Sequence, residues 1–519
     1  MSQHALHHTG SCRSLQVTSE GMARGEENVA QNTQHALEIA QDKSSDHNPW
    51  KGLLYDRLRD RPLPAIIADG TITPAASLWT GARLWVEAFR QADLAPGTRV
   101  VIALPSSPAF IQALVAALWE ELTVALVPPN EPLDDALQTT DAAAVIASDR
   151  HPHGWSPQGC AGPLTTPKGL RSATHPPTPE ARFLLRTSGT IAAAQWVALS
   201  DENILSVLAS HLPHMNHAEA RVLSVLPWSH AFGLVLDLLP ALLSDAELIR
   251  DDHGGRDPQQ LLHLRDVWGA THLSAVPLTI KRLLDHPGGP AFLRELRGGI
   301  VGGAPIAAPL ADALSDTQLR VGYGQTEASP GITLGAPGQW APNFLGTPVG
   351  CTVDVASNGE LHFTGSNACC GFWSAQEGLQ RQPVPRTVAT GDRVERADEG
   401  FYFRGRLDTA FKLSNGRLVH AGHWEAVLKH AYPAAEDALL YTPNGDHVAA
   451  ALCLPADAEA PAQRDVATHL GGLSERVVAL HCMAPAEWKT RPKGDVDRTA
   501  MEEALRALSD PTVAHAPPA

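Results

Sequence analysis

From Trp50 onward, short apolar runs alternate with longer stretches whose apolar residues fall on one helical face. Arg99 to Leu104 (RVVIAL) has the length of a buried strand. A turn at Pro105–Pro108 follows, then a one-sided helical stretch from Phe110 to Glu121 and a second run at Val124–Val127. The same alternation predicts strands at Arg221–Leu226, Thr271–Val276 and Ile300–Gly302, with helices over Phe232–Leu243 and Pro277–Asp285. Strand–helix–strand order at this spacing predicts a parallel sheet covered by helices. After a turn-rich junction at Gly405–Gly422 comes a smaller unit. It has a helix at Trp424–His430, strands at Ala438–Tyr441 and Val448–Leu454, and a last helix around Thr499–Leu508. The pattern therefore predicts an α/β protein: a large N-terminal domain of mainly parallel sheets layered with helices, plus a smaller α+β C-terminal domain.

Two stretches lie outside that pattern. Residues 1–48 are polar and lack a sustained apolar period, so they read as a disordered tail with a short helix near Asn32–Asp42. They contain no apolar core of a secretory signal. Residues 146–181 are rich in Pro, Gly, Ser and Thr and predict a surface connector. The expected organisation is a tail at 1–48, a large domain at 49–407 and a small domain at 408–519.

Composition narrows the function classes. A chain of 519 residues is too long for one ordinary core. A net charge of -16 disfavours any broad surface for nucleic-acid phosphates, so no nucleic-acid partner is expected. The seven cysteines are scattered, without a C-x-x-C pair, and Cys369–Cys370 are adjacent. This suits neither a zinc ribbon nor a disulfide framework and predicts reduced thiols in a cytoplasmic protein. No apolar stretch is long enough to cross a bilayer.

Candidate chemistry begins at Phe183–Thr190, FLLRTSGT, where an apolar strand runs into Thr187, Ser188, Gly189 and Thr190. Hydroxyls and backbone N–H groups around a glycine can wrap phosphate oxygens. Alone, such a turn is most often only a turn. The next segment, from Ser200, needs no more than an N-capped helix. His211, His214 and His217 are spaced closely enough to suggest a metal site, but Pro213 interrupts them and no acidic ligand is near, so a helix end is the expected reading.

Further strings give the resemblance. LPWSHAFGL (Leu226–Leu234), Gly302-Gly303-Ala304-Pro305, Tyr323-Gly324-Gln325-Thr326-Glu327, Thr390-Gly391-Asp392 and Gly405-Arg406-Leu407-Asp408 with Lys412, Gly416 and Arg417 occur in one order. Together with Thr187–Thr190 and the GTRVVIALPSSPAFIQALVAALWEE segment, they resemble the adenylate-forming superfamily of acyl- and aryl-CoA synthetases, peptide-synthetase adenylation domains and luciferases. The resemblance covers nearly everything from about Trp50. It implies ATP-dependent activation of a carboxylic acid, with magnesium, followed by transfer to the thiol of CoA or of a carrier protein's phosphopantetheine arm. It further implies a mobile C-terminal domain turning about Asp408.

The resemblance also implies roles. Attack of a carboxylate on the α-phosphate expels pyrophosphate, so negative charge must be held and neutralised. Glu327 is the implied magnesium ligand, offering the hard oxygen that ion prefers. Thr326 and Thr190 hydrogen-bond phosphate oxygens. Gly302, Gly303, Ala304 and Pro305 form the adenine-side turn, and Tyr323 offers a flat face to adenine. Asp392 accepts from the ribose hydroxyls, and Arg406 donates to sugar or phosphate. For these two the plainer alternative is a surface salt bridge. His230 stands by the carboxylate or the acceptor channel, or else is a packed histidine at a strand end. Lys412 belongs to the hinge.

Two departures stand out. Where the phosphate loop of the family continues Thr-Gly-x-Pro-Lys-Gly, this chain reads Ile191 to Trp196, with Gln195 in place of the lysine. Where the C-terminal motif has its lysine, this chain has Asp495, within Lys489-Thr490-Arg491-Pro492-Lys493-Gly494-Asp495-Val496-Asp497-Arg498. Lys493 is the candidate replacement, with Lys489 and Arg491 behind it. Three readings follow: a ligase, a catalytically impaired relative that binds nucleotide or acyl-adenylate as a regulator or scaffold, or a ligase with an intramolecular acceptor. Mostly small or apolar residues at Trp228–Leu234 and Gly302–Leu334 favour a fatty or aromatic acid.

Overall fold

Arg99–Ala103, Thr123–Leu126, Ala144–Ala147 and the apolar part of Phe183–Arg186 are buried without alternation, the mark of strands covered on both faces. In the computed structural model they pair in parallel, Val100 opposite Val124 and Ala144, and Val124 opposite Phe183. The structure describes residues 31, 33–38, 40–41, 48–59, 64–131, 133–147, 173–186, 196–217, 219–244, 246–407, 409–413, 418–491 and 496–509. Antiparallel strands Trp196–Leu199, Gly371–Ser374 and Gly378–Arg381 extend this sheet to seven strands. The helix Pro108–Trp119 starts on a Ser107 cap with proline in its first turn, and every side chain from Phe110 to Leu118 is buried.

A second sheet carries Pro64–Ala68, Glu247–Arg250, Arg221–Ser224 and His272–Ser274 side by side in one direction. Parallel bridges from His272 to Gly298 and from Ala275 to Val301 carry that direction on to Ile300–Gly302, which pairs in parallel with Arg320–Tyr323. From Thr333 the pairing turns antiparallel through Phe344–Pro348, Gly400–Arg406, Thr387–Ala397, Glu360–Thr364 and Thr352–Val355. This antiparallel block is absent from the sequence expectation. Its strands are half-exposed and carry no continuous apolar run.

The C-terminal part is α+β. Asp437–Tyr441, Val448–Cys453 and Val477–Met483 form a three-stranded sheet. Its two faces are packed separately, one side around Leu428 and Val466, the other around Trp488, Met501 and Leu505. The turn-rich junction contains a small hairpin, Ala410–Lys412 with Leu418–His420. The expected helices and strands are present with bounds shifted by a few residues, as Ala421–Ala431 and Arg498–Ser509 show. Among the described residues no helix is long and apolar enough to cross a membrane.

Most of the tail and residues 148–172 of the connector lie outside the described residues. Residues 33–38 are helical, and Ala36 and Leu37 are buried in the main core with Trp50. The end of the connector is held firmly: buried Arg99 donates to the carbonyls of His175 and Pro176 at 2.9 and 2.7 Å while pairing with Asp141 at 2.9 Å.

Two glycines set the geometry of the strand ends. A Cβ on Gly324 would run into the Pro330 carbonyl oxygen, while Gly303 has φ +88° and a Cβ there would make only an ordinary contact with Val276 Cγ1 at 3.6 Å. Gly324→Ala should therefore cost about 3 kcal/mol or more through backbone displacement. Gly303→Ala should cost about 1 kcal/mol of left-handed strain. Thermal melts of the two variants check the difference.

Buried histidines make the fold acid-sensitive. Burial lowers His217 to about 3, with the neighbouring His272 adding to the effect, and lowers His211 and His272 to about 4. His217 lies against the Ser244 hydroxyl and meets His272 edge to face, while His211 bonds to the Val207 carbonyl. Unfolded, these rings take up a proton near pH 6.5; folded, they resist it. The unfolded state thus binds more protons between these values, so stability present above pH 6.5 is lost as pH falls towards 4. The loss is about 1.4 kcal/mol per pH unit for each ring. Urea unfolding at pH 7.5 and pH 5 should show this, with a smaller drop in His217→Gln. An unchanged slope in that variant would contradict the assignment.

Candidate active site

Because six strands from Pro64–Ala68 to Arg320–Tyr323 run in one direction, their carboxyl ends form one edge. The loops that leave this edge include Leu226–His230, Gly303–Pro305 and Tyr323–Glu327, and in open parallel sheets such an edge is where ligands bind. The other sheet approaches the same place. Ser106, just past Arg99–Ala103, accepts the Trp228 backbone N–H at 3.0 Å. Gly302 stands opposite Gly322 on the adjacent strand, where no Cβ fits, so the Gly303 turn lies beside Tyr323.

The densest polar cluster on this edge surrounds Asp392, which is 4% exposed. Its Oδ2 accepts the Tyr323 hydroxyl at 2.7 Å and Gln325 Nε2 at 3.0 Å, and its Oδ1 accepts an Arg406 nitrogen at 3.0 Å. Gln325 Nε2 also donates to the Thr390 carbonyl at 2.8 Å. The Thr390 hydroxyl donates to the Leu361 carbonyl and accepts the Asp392 N–H. Gly391 N–H is held by Glu360 at 2.9 Å. Three motifs far apart in sequence thus meet in one hydrogen-bonded unit. Burial, and then the Asp392 charge, keep the Tyr323 phenol protonated well above its ordinary value. The pairing of Asp392 with Arg406 is no exposed salt bridge on the aspartate side, although the arginine is partly open to solvent.

Glu327 follows in a single tight turn, Thr326–Ala328. Its carbonyl accepts the Cys369 N–H at 2.8 Å, and the next residue's N–H, Cys370, donates to Ala198 at 3.0 Å. This ties Glu327 to the strand that leaves Thr187–Gln195. Asn203 braces the same segment by donating to the carbonyls of Ser366 and Ala368, both at 2.8 Å. Burial pushes the Glu327 carboxyl above the ordinary glutamate range, its own backbone N–H and the Arg406 charge pulling the other way. A nearby divalent cation would favour the ionised form. One hard carboxylate fits magnesium, which takes most other ligands from phosphate and water; among the described residues no group of three His, Cys, Asp or Glu side chains is arranged to hold a metal.

The structure brings together Tyr323, Gln325, Asp392 and Arg406, and sets Gly302, Gly303, Ala304, Pro305, Gly324, Thr326 and Glu327 along the same edge. His230 is half-buried three strands away on that edge, its N–H donating to the Pro227 carbonyl at 3.2 Å. Thr187, Ser188, Gly189, Thr190 and Gln195 lie outside the described residues, as do Asp408, Gly416, Arg417, Lys493 and Asp495; Arg186 and Trp196, at the two ends of the first segment, face each other across the strand pair. Lys412 lies on the small hairpin, and its side chain is outside the described residues. The supporting partners Glu360, Asn203, Ser106 and Cys369 were not foreseen. Each acts across a long sequence separation, and only the hydroxyl of Thr390 carried a local signal.

Comparison with known proteins accords with this geometry. The sequence pattern of the AMP-binding enzyme family matches residues 64–368, more than half of the chain. A feruloyl-CoA synthase from Amycolatopsis sp is 27% identical over 427 residues, covering 76% of this chain and 86% of that protein. An anthranilate–CoA ligase from Pseudomonas aeruginosa is 26% identical over 388 residues, covering 67% and 74%. Among solved structures, ATP-bound MatB from Rhodopseudomonas palustris superposes with a TM-score of 0.73 at 20% identity, covering 88% of this chain and 99% of that one. The anthranilate CoA ligase AuaEII in complex with anthranoyl-AMP superposes with a TM-score of 0.71 at 16% identity, covering 89% and 98%. These superpositions bear on the fold, which they share from the large domain into the smaller C-terminal one. The matched pattern runs through Tyr323–Glu327 and stops before Asp392, and on its extent the chain belongs to the AMP-binding enzyme family.

Proposed function

We propose that this enzyme is an acid–thiol ligase that joins a carboxylic acid to ATP as an acyl-adenylate and then passes the acyl group to the thiol of CoA. The observation that carries the reading is the convergence of Tyr323, Gln325 and Arg406 on the buried carboxylate of Asp392. A carboxylate fixed in this way can exchange protein donors for the two ribose hydroxyls without moving, and the tethered Tyr323 ring offers a preset face to adenine.

In the first step a carboxylate oxygen attacks the α-phosphorus and pyrophosphate leaves. Thr326, with Thr190, holds phosphate oxygens, and Arg406 balances developing charge. Magnesium, held by Glu327, would neutralise the phosphates when bound. His230 orients the acid. In the second step a thiol sulfur attacks the acyl carbonyl and AMP leaves, with the unit at 408–519 turning about Asp408 and Lys412 in the hinge. Lys493 supplies the cation displaced from position 495. An aromatic or fatty acid is the proposed substrate, a reading supported by the aromatic acids named for two relatives and by the apolar residues around Trp228. A carrier protein's phosphopantetheine arm is the alternative acceptor. The cytoplasm is the proposed compartment, and the free cysteines among the described residues support it. A second reading, a relative that binds nucleotide or acyl-adenylate without making the adenylate, draws its support from Gln195 and Asp495.

ATP–pyrophosphate exchange across a panel of aromatic and fatty acids tests the proposal. Acid-dependent exchange is expected, falling about a hundredfold in Glu327→Gln and at least about tenfold in Lys493→Ala. AMP binding by Asp392→Asn should weaken by about tenfold. Nucleotide binding without exchange for any acid would favour the second reading, and mass analysis of the acylated thiol separates the acceptors.

A further inference from the structure

Beneath the Leu226–His230 turn lies a polar group that the proposed chemistry does not use. The helix after the turn runs in three parts, Ala231–Gly233, a π-helical turn Leu234–Leu238, and Leu239–Leu243. Pro240 has no N–H to give and its ring crowds the carbonyl four residues back, so a widened turn there is the relaxed solution. Four of the five residues in the widened turn are buried and apolar; the fifth is Asp237, only 1% exposed.

Asp237 Oδ2 accepts the hydroxyl of Ser224. With its proton committed, the Ser224 oxygen turns its lone pairs outward. It accepts Trp228 Nε1 at 3.0 Å and an Arg250 nitrogen at 3.3 Å. The same Arg250 nitrogen donates to the carbonyl of Leu226 at 2.7 Å, the first residue of the turn, and to that of Ser224 at 3.0 Å. The guanidinium also lies 5.4 Å from the centre of the fully buried Trp228 ring, whose other neighbour is Phe110. From above, Ser106 takes the Trp228 N–H, and Gly233 packs so close to Pro227 that a Cβ there would meet its carbonyl oxygen. The turn is pinned by its main chain at Leu226 and Trp228 and by its indole.

This arrangement is costly. Among the described residues, Asp237 Oδ1 and Arg250 Nε, both buried, find no hydrogen-bond partner. Burial pushes the Asp237 carboxyl up to about 6, with Ser224, Arg250 and Trp228 pulling it back. A buried charged group of this kind adds little net stability over a well-packed apolar core, and losing the carboxylate alone would leave Arg250 buried without its counter-charge, so stability is not the main thing the carboxylate adds. What it adds is direction: it sets the Ser224 hydroxyl, and through it the two donors that hold the turn.

We propose that Asp237 and Arg250, acting through Ser224, are positioning residues that fix the Leu226–His230 turn and so aim His230 at the acid. The proposal rests on the reading of His230 as the acid-side residue. Hydrogen–deuterium exchange of the full-length protein is measured in Asp237→Ala, Asp237→Asn and Ser224→Ala, alongside the KM values for acid and for ATP. Asp237→Ala should raise exchange in residues 226–234 by about tenfold and leave residues 320–334 at the wild-type rate. It should also raise the KM for the acid about tenfold, with the KM for ATP within about twofold. Asp237→Asn keeps the acceptor and should recover most of both effects. A lower melting temperature with both segments and both KM values unchanged would overturn the proposal, as would an equal rise in exchange in both segments. A wild-type protein inactive with every acid would instead count against the ligase reading, and the exchange comparison would still decide whether Asp237 holds the turn.

Discussion

A buried carboxylate must be matched by donors, and the matching of Asp392 organises the candidate site. Its two oxygens take three donors from two stretches of chain. Tyr323 and Gln325 come from the end of the parallel run, and Arg406 from the last strand before the C-terminal part. The antiparallel block from Thr333 to Arg406 carries Asp392 back to the edge where the parallel strands end. Without that return, the turn at Tyr323–Glu327 would have a sheet behind it and nothing across from it.

The edge itself follows from strand direction. When successive strands point the same way, their following loops collect on one side. Here the parallel bridges at His272 and Ala275 let two sheets share that side. Gly302 and Gly324 are what the crossing demands, because strand and loop backbones approach too closely there for side chains, while Gly322 makes room for the Ile300 side chain. Such close packing has a consequence for chemistry. Glu327 sits on a tight turn braced by Cys369 and Asn203 through the 366–370 segment, which fixes the position of its backbone.

Much of this was legible in the sequence. RVVIAL and its successors read as buried strands because both faces are covered, leaving an unbroken apolar run. The helix Pro108–Trp119 reads from its apolar residues as beginning at Phe110, two residues late, because Pro105–Pro108 reads as a turn while Ser107 and Pro108 in fact cap and open the helix. The antiparallel strands were not legible: Thr352–Val355 and Glu360–Thr364 each show one face to solvent, are short, and contain too few apolar residues to stand out from loop. At the site, YGQTE and TGD were readable as strings, but their hydrogen bond to each other spans 69 residues and has no local trace. Asp237 was illegible for a different reason. Its helix reads as apolar, and the π turn that buries the carboxylate depends on Pro240, whose effect a regular 3.6-residue period does not capture.

Charge gives the arrangement its character. The chain carries a net charge of -16, and the two positions where the resemblance leads one to expect lysine hold Gln195 and Asp495. Long-range attraction for a polyanion such as ATP is correspondingly weak, since a protein's summed charge sets the field its ligand meets at a distance. Under the proposed reading, affinity must arise at contact: from Asp392 and its partners on the nucleoside, and from a cation at Glu327 on the phosphates. Nucleoside contacts of this kind are little screened by salt, because they are buried and short. The phosphate contacts depend on the metal. Under that reading a site so divided would hold AMP, which keeps the nucleoside and one phosphate, with most of its contacts intact after pyrophosphate has gone, as the proposed adenylate intermediate requires.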